Sequence, residues 1–220
     1  MANDRIAQRN RDHFNDYGIV AVNLVGSPGS GKTAVLEATA RALGSTAEVG
    51  VLAGDVMTDD DARRIRDAGI VAESIATGAS CRLDAEMVHK GLHRLPWRNL
   101  DYLFIENAGN LAIAAVYDLG QALNVVALSV AEGEDQPLKY PAMFRTADLV
   151  LLTKTDLLAQ LPEVSVDAIE HNLSFVMPRP ALLRVSARTG AGIGQWIRWL
   201  TAIGNPRIAR CAVPPLVGAT

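Results

Sequence analysis

The sequence predicts an α/β fold: a mostly parallel sheet flanked by helices on both faces. Three observations carry that prediction. Short apolar, β-branched runs alternate with helical patterns along most of the 220 residues, as in chains built of β-α-β units. The first run, Ile19 to Val25, passes directly into Gly26-Ser27-Pro28-Gly29-Ser30-Gly31-Lys32-Thr33, which fits G-x-x-x-x-G-K-S/T, and then into a helical pattern from Ala34 to Leu43. Strand, loop and helix in that order are what a phosphate-binding loop requires. Later apolar runs end in short polar or acidic segments, which an open parallel sheet would gather at its carboxyl edge.

Bulk properties narrow the class. A hydrophobic fraction of 49% over 220 residues supplies one substantial core and is short for two. A net charge of −3 and a pI near 5.8 give no broad basic field, which argues against general nucleic-acid binding. No apolar run approaches the roughly 18 to 20 residues that cross a bilayer, and Met1-Ala2-Asn3-Asp4-Arg5 is too polar for a signal peptide, so a cytoplasmic location is expected, with no membrane partner. Cys81 and Cys211 do not make a disulfide framework. The expected organisation is an N-terminal helical extension (1–17), a P-loop domain (18–204) and a flexible C-terminal tail (205–220).

In the extension, Ile6, Ala7, Phe14 and Tyr17 are spaced as on one helix face, which predicts a helix docked on the core and no functional role. In the phosphate-binding loop, Gly26, Gly29 and Gly31 allow turns that point successive N–H groups at one anionic cavity. Lys32 adds a positive charge for the β- and γ-phosphates, Thr33 a hydroxyl for Mg²⁺, and the following helix its positive end. A second strand, Ala47 to Ala53, delivers Gly54-Asp55 at its carboxyl end, where Asp55 is either a Mg²⁺ or switch residue or a turn cap. Thr58-Asp59-Asp60-Asp61 resembles a capping box, so its acids are expected to favour a helix start rather than a metal.

A third strand is expected over Ile70 to Ile75, then a loop containing Cys81 and Arg82, then a helix from Leu83 to Leu95. His89 and His93 stand four apart on that helix, as a metal-binding pair would, but no third ligand lies beside them in the chain and Gly91 weakens the helix between. A solvated face is the expected reading of that pair.

The next strand, Asp101 to Ile105, ends in Glu106-Asn107-Ala108-Gly109-Asn110. An acid at a strand tip with a glycine three residues later is where nucleotide switches sense the γ-phosphate, the acid near Mg²⁺ and the glycine amide on phosphate. A strand over Asn124 to Val130 leads to Glu132-Gly133-Glu134-Asp135 and Leu138-Lys139-Tyr140-Pro141. Another, Asp148 to Leu152, ends in Thr153-Lys154-Thr155-Asp156, close to the Asn-Lys-x-Asp of guanine-specific loops. The Asp156 carboxylate accepts from guanine N1–H and the 2-amino group, donors that adenine lacks. Thr153 is shorter than the usual Asn, and losing its brace to the phosphate loop would cost about 1 kcal/mol. The last strand, Ala181 to Val185, delivers Ser186-Ala187, with a backbone amide for guanine O6, and a helix from Gln195 to Ile203 closes the domain.

Taken together, the phosphate loop, Glu106 to Leu111, Glu132 to Asp135, Lys139-Tyr140-Pro141 and Ser186-Ala187 resemble the HypB-type GTPases of nickel-iron hydrogenase maturation, over about Asn10 to Leu200. The resemblance implies a P-loop fold, hydrolysis of GTP to GDP and phosphate with Mg²⁺ as a conformational switch, and slow turnover without a partner. It also implies a homodimer tightened by GTP, maturation partner proteins and the hydrogenase large subunit as client. Asp55 becomes the Mg²⁺-sensing switch residue, with catalytic roles for Lys32, Thr33, Glu106 and Gly109. In this family a Cys-His pair and a second Cys hold nickel or zinc between two subunits. Here Cys81 is followed by Arg82, and Ile113 falls where the second Cys would be, so one thiolate of that set survives. The family's N-terminal cysteine motif and histidine-rich stretch are also missing, so nickel storage is not expected. Two rivals stand beside this reading: a GTPase paralogue that scaffolds protein partners without metal, and a P-loop kinase of a small metabolite, against which Asp156 and Ser186-Ala187 argue.

Overall fold

The computed structural model describes residues 2–55, 60–77, 83–107 and 117–203. Its seven strands are β1 (Val20–Val25), β2 (Val49–Asp55), β3 (Val71–Ala76), β4 (Tyr102–Asn107), β5 (Leu123–Ser129), β6 (Leu149–Thr153) and β7 (Leu182–Arg184). All pair in parallel, in the order β3-β2-β4-β1-β5-β6-β7. Helices α1 (Ala2–Tyr17), α2 (Lys32–Leu43), α3 (Asp60–Asp67), α4 (Ala85–Leu92), α5 (Gln136–Lys139), α6 (Pro141–Arg145), α7 (Val166–Val176) and α8 (Ile193–Ala202) surround them. None is long and apolar enough to cross a membrane.

The sheet is two-faced because its strands are buried on both sides and successive side chains alternate. Val22, Leu24, Phe104, Val125 and Leu151 face one way, into a core shared with Val35 and Leu36 of α2, Ile65 of α3 and Trp196 and Leu200 of α8. On the other face Ala21, Leu103 and Ile105 meet Phe14 of α1 and Val88 and Leu92 of α4. Farther along that face Val126, Leu128 and Val150 meet Phe144 of α6 and Ile169 and Leu173 of α7. Burying each large side chain contributes about 1.5–3 kcal/mol. The Trp196 indole also donates to Thr39 Oγ1 at 2.8 Å, tying α8 to α2.

Local chemistry sets the helix starts. Asp84 caps α4 by accepting from Met87 N at 2.8 Å, and Ser165 caps α7 by accepting from Ala168 N at 3.2 Å. The helix expected over Leu83 to Leu95 is shorter, α4 giving way to turns after Leu92. Gly91 is not merely a weak point in it: a Cβ there would stand 2.8 Å from Ile75 Cδ1, so the missing side chain lets α4 approach β3. Helix α7 was not among the expected elements, although Ser165 followed by Ile169 and Leu173 carries its signal. The capping-box residue Thr58 lies outside the described residues, and α3 opens at Asp60.

Strand order places the phosphate loop. β1 and β5 are neighbours, but the chain leaves β1 toward β2 on one side and β5 toward β6 on the other, and this reversal opens a crevice at their carboxyl ends.

Candidate functional site

The loop from Gly26 to Gly31 fills that crevice. Gly31 has φ +94° and starts α2 directly after a left-handed turn, a backbone a side chain would strain. Gly26 is required for space: a Cβ there would stand 2.5 Å from Ala127 O of β5. Lys32, only 5% exposed, donates from Nζ to Gly26 O at 2.9 Å and Ser27 O at 3.0 Å. Burial holds its ammonium pKa below the ordinary value, against the opposing pull of Glu106, Asp61 and Glu132. Phosphate oxygens are stronger acceptors for that ammonium than two peptide carbonyls.

Thr33 Oγ1 lies 2.9 Å from Glu106 Oε1 and 3.1 Å from Asp61 Oδ1. A hydroxyl has one proton and cannot donate to two carboxylates at once. Thr33 therefore donates to one of them at a time, and burial pushes the Glu106 carboxyl up to about 7, against the pull of Lys32 and the Thr33 bond. Glu106 Oε2 is buried and has no hydrogen-bond partner among the described residues. Two carboxyls and a hydroxyl converging in one partly buried place form an all-oxygen set that suits a hard divalent cation such as Mg²⁺.

Around these groups opens a cavity of about 500 Å³, bounded by the loop, Thr33, Asp61, Arg64, Glu106 and Lys154. Arg64 is held there by Glu37, its Nε 2.7 Å from Glu37 Oε1. A second cavity of about 240 Å³ adjoins it and shares Gly31, Ala34 and Lys154; its far wall is Thr153, Asp156, Leu157, Ala187 and Arg188. Size and polarity differ between the two: the larger is lined mainly by charged and polar groups, the smaller by Asp156, Lys154 and Arg188 around a mostly apolar wall.

Three features shape the smaller cavity. Lys154 has φ +56°, the one non-glycine with positive φ among the described residues, and this strained turn carries the chain from the end of β6 round to Asp156. Ser186 Oγ donates to Asp156 Oδ1 at 2.6 Å, and that bond is the main reason the Asp156 carboxyl lies below its ordinary pKa; the Arg188 guanidinium, 3.6 Å from the other oxygen, adds to it. Gly192, at φ +74°, lets the loop after β7 close, since a Cβ there would stand 1.9 Å from Arg184 O.

The structure thus brings together Gly26 through Thr33, Glu106, Thr153, Lys154, Asp156, Ser186 and Ala187 at one edge of the sheet. Asp55 ends β2 beside Ala76 of β3, and its side chain lies outside the description. Gly109, Cys81, Arg82, Ile113 and Cys211 also lie outside the described residues. Two expectations change. Thr153 is long enough after all, because its Oγ1 donates to Ser30 O and braces the phosphate loop. Asp61, read as a helix-start acid, instead reaches Thr33. Asp61 and Arg64 escape sequence reading because they resemble the exposed charges of any helix start; only the packing of α3 beside α2 turns them inward.

Comparison with known proteins agrees with this geometry. Residues 20–179 match the family model described as CobW/HypB/UreG, nucleotide-binding domain. The hydrogenase maturation factor HypB of Azotobacter vinelandii is 50% identical over 198 residues, covering 90% of this chain and 65% of its own, so the chain spans about two thirds of that relative. The crystal structure of HypB from Archaeoglobus fulgidus superposes with a TM-score of 0.84 at 38% identity, covering 92% of this chain and 98% of its own. HypB from Helicobacter pylori, solved in complex with nickel, gives 0.87 at 31% identity, covering 99% and 100%.

Proposed function

The chain belongs to the CobW/HypB/UreG family of P-loop nucleotide-hydrolysing proteins, and from that premise we propose that it hydrolyses GTP to GDP and phosphate as a conformational switch in nickel-iron hydrogenase maturation. The observation that carries the reading is the pair of adjoining cavities, one lined by Lys32, Thr33 and Glu106, the other by an Asp156 carboxylate held ionised and oriented by Ser186. Asp156 accepts from guanine N1–H and the 2-amino group, and adenine would leave its oxygens unpaired. Ala187 supplies the edge of the base pocket.

On the phosphate side, Lys32 exchanges its two loop carbonyls for β- and γ-phosphate oxygens. Thr33, Asp61, Glu106 and Asp55 would hold Mg²⁺, whose chemistry there would be to neutralise charge on the phosphates. Glu106 would serve there as the ionised carboxylate. Gly109 senses the γ-phosphate through its amide. Arg64, clamped by Glu37, lines this cavity with Lys32 and Lys154, so a partner that frees and seats it would quicken a slow intrinsic turnover. The switch works in the cytoplasm as a GTP-tightened homodimer whose partners are maturation proteins and the hydrogenase large subunit. Incubation with GTP and Mg²⁺ alone tests the reading: phosphate release without an added acceptor is expected, and phosphate transfer only to an added metabolite would make the protein a kinase.

Arg82 and Ile113 favour a second reading, in which the GTP switch scaffolds protein partners and the Cys81 position holds no metal. A nickel or zinc site lost in Cys81→Ala would overturn that version and restore the metal-delivering one.

A further inference from the structure

Helices α1 and α4 bring together three imidazoles that nucleotide chemistry does not use. His13 comes from α1, His89 from α4, and His93 from the residue that ends α4. One ring nitrogen of each lies within 4.8 Å of those of the other two. Ring centroids are 5.4 Å apart for His13 and His89, 6.0 Å for His13 and His93, and 4.7 Å for His89 and His93. We propose that His13, His89 and His93 form a binding site for one divalent ion of the imidazole-preferring transition metals, such as zinc, cobalt, nickel or copper, with water in the remaining position.

The rings are held rather than merely near. Trp97, almost fully buried, stacks on His13 at 5.3 Å and meets the edge of His93 at 6.0 Å. Phe14, Val88 and Leu92 pack the seam beneath. His13 Nδ1 is buried and has no hydrogen-bond partner among the described residues. His89 Nδ1 lies 2.9 Å from Asn10 Oδ1, and the assignment of that amide is fixed because Asn10 Nδ2 donates to Ala85 O at 2.9 Å and Leu119 O at 3.0 Å. Asn10 therefore presents its oxygen, His89 Nδ1 carries the proton, and Nε2 is left with the lone pair a metal needs. A fixed partner of this kind on the far nitrogen is how metal-binding histidines are commonly oriented.

Charge does not oppose occupancy strongly. Arg9 and Arg98 face the cluster, but so do Asp16 and Glu86, and Arg98 is engaged over the Trp97 ring at 4.7 Å. Burial, aided by Arg9, holds the His13 and His89 pKa values below the ordinary imidazole value. Metal-to-nitrogen bonds of about 2.0–2.1 Å need nitrogens about 3.4 Å apart in a tetrahedron, so the present separations, within 4.8 Å, close by at most about 1.4 Å, shared among the three side chains. Because α4 runs back from the carboxyl end of β3, His89 and His93 lie toward the opposite edge of the sheet from the phosphate cavity. The metal would pin the N-terminal helix to the domain.

The test is titration of the metal-stripped full chain with Co²⁺ and with Zn²⁺, followed by calorimetry and, for cobalt, by visible absorption. The expected result is one ion per chain with a four-coordinate cobalt spectrum, retained in Cys81→Ser and weakened at least 10-fold in His93→Gln. His93 is exposed, so that variant should keep its GTP affinity and far-UV circular dichroism, which separates loss of a ligand from loss of the fold. Absence of saturable binding in the wild type, unchanged affinity in His93→Gln, or loss of the ion in Cys81→Ser would overturn the proposal.

Discussion

The nucleotide cavities and the three-histidine cluster both gather residues far apart in the chain, yet they are assembled in different ways. In the cavities every group except Asp61 and Arg64, which α3 carries, sits at or just after the carboxyl end of a strand or in the loop and first turn that follow it. A parallel sheet aligns such ends by its hydrogen bonding, so a motif read after one strand is bound to meet a motif read after its neighbour. The histidines have no such alignment. They meet because an amphipathic N-terminal helix packs along α4, and the rotation of each helix about its own axis decides which side chains face each other. Backbone pairing makes a site predictable from sequence, whereas helix packing conceals one.

If the two sites are independent in this sense, changes at one leave the other intact. Lys32→Ala should break the comparison hardest on the nucleotide side. Losing two charge-assisted bonds of about 2 kcal/mol each weakens GTP by about 1,000-fold, while cobalt uptake at His13, His89 and His93 stays as in the wild type. Parallel calorimetric titrations with GTP and cobalt check this, and coupled losses would show the sites to be one system.

The next effect is one of pH. In the native protein the Glu106 carboxyl titrates near 7, but an unfolded glutamate titrates near 4.5, so between these values the folded chain holds a proton the unfolded chain has released. Stability therefore falls as pH rises through that window, by up to about 3 kcal/mol from this group. Glu106→Gln has no proton to lose. Denaturant unfolding of both proteins at pH 5 and pH 8 without nucleotide should show the variant gaining on the wild type at the higher pH; a constant difference would mean that burial does not raise this carboxyl.

The smallest effect sharpens the picture of the loop. Thr153→Val keeps the shape of the side chain and removes the hydroxyl that donates to Ser30 O. GTP affinity should fall about fivefold, near 1 kcal/mol, with the ratio of GTP to ATP affinity unchanged, because the bond braces the phosphate loop and does not touch the base.

How much of this was legible follows the same division. The parallel sheet, the loop from Gly26 to Thr33, and the strand-end groups Glu106, Asp156, Ser186 and Ala187 can be read from sequence because periodicity and short motifs are local. Thr153 was readable as a substitution, but its reach to Ser30 depends on how closely β6 passes the loop. Asp61 and Arg64 were hidden by their likeness to ordinary helix charges. His89 and His93 were visible as a pair at helical spacing, whereas His13, 76 positions before His89, carries no signal except through the docked face of α1.

The central claim is that Asp156, oriented by Ser186, selects guanine for a working phosphate site. Calorimetry of the wild type and Asp156→Asn with GTP, ATP and XTP in the presence of Mg²⁺ tests it directly. The wild type should bind GTP at least about 100-fold more tightly than ATP. The variant should lose GTP and gain XTP, since an asparagine amide offers one donor and one acceptor that suit the 2-oxo group and N1–H of xanthine. Equal affinity of the wild type for GTP and ATP, or an order of preference left unchanged by Asp156→Asn, would contradict it.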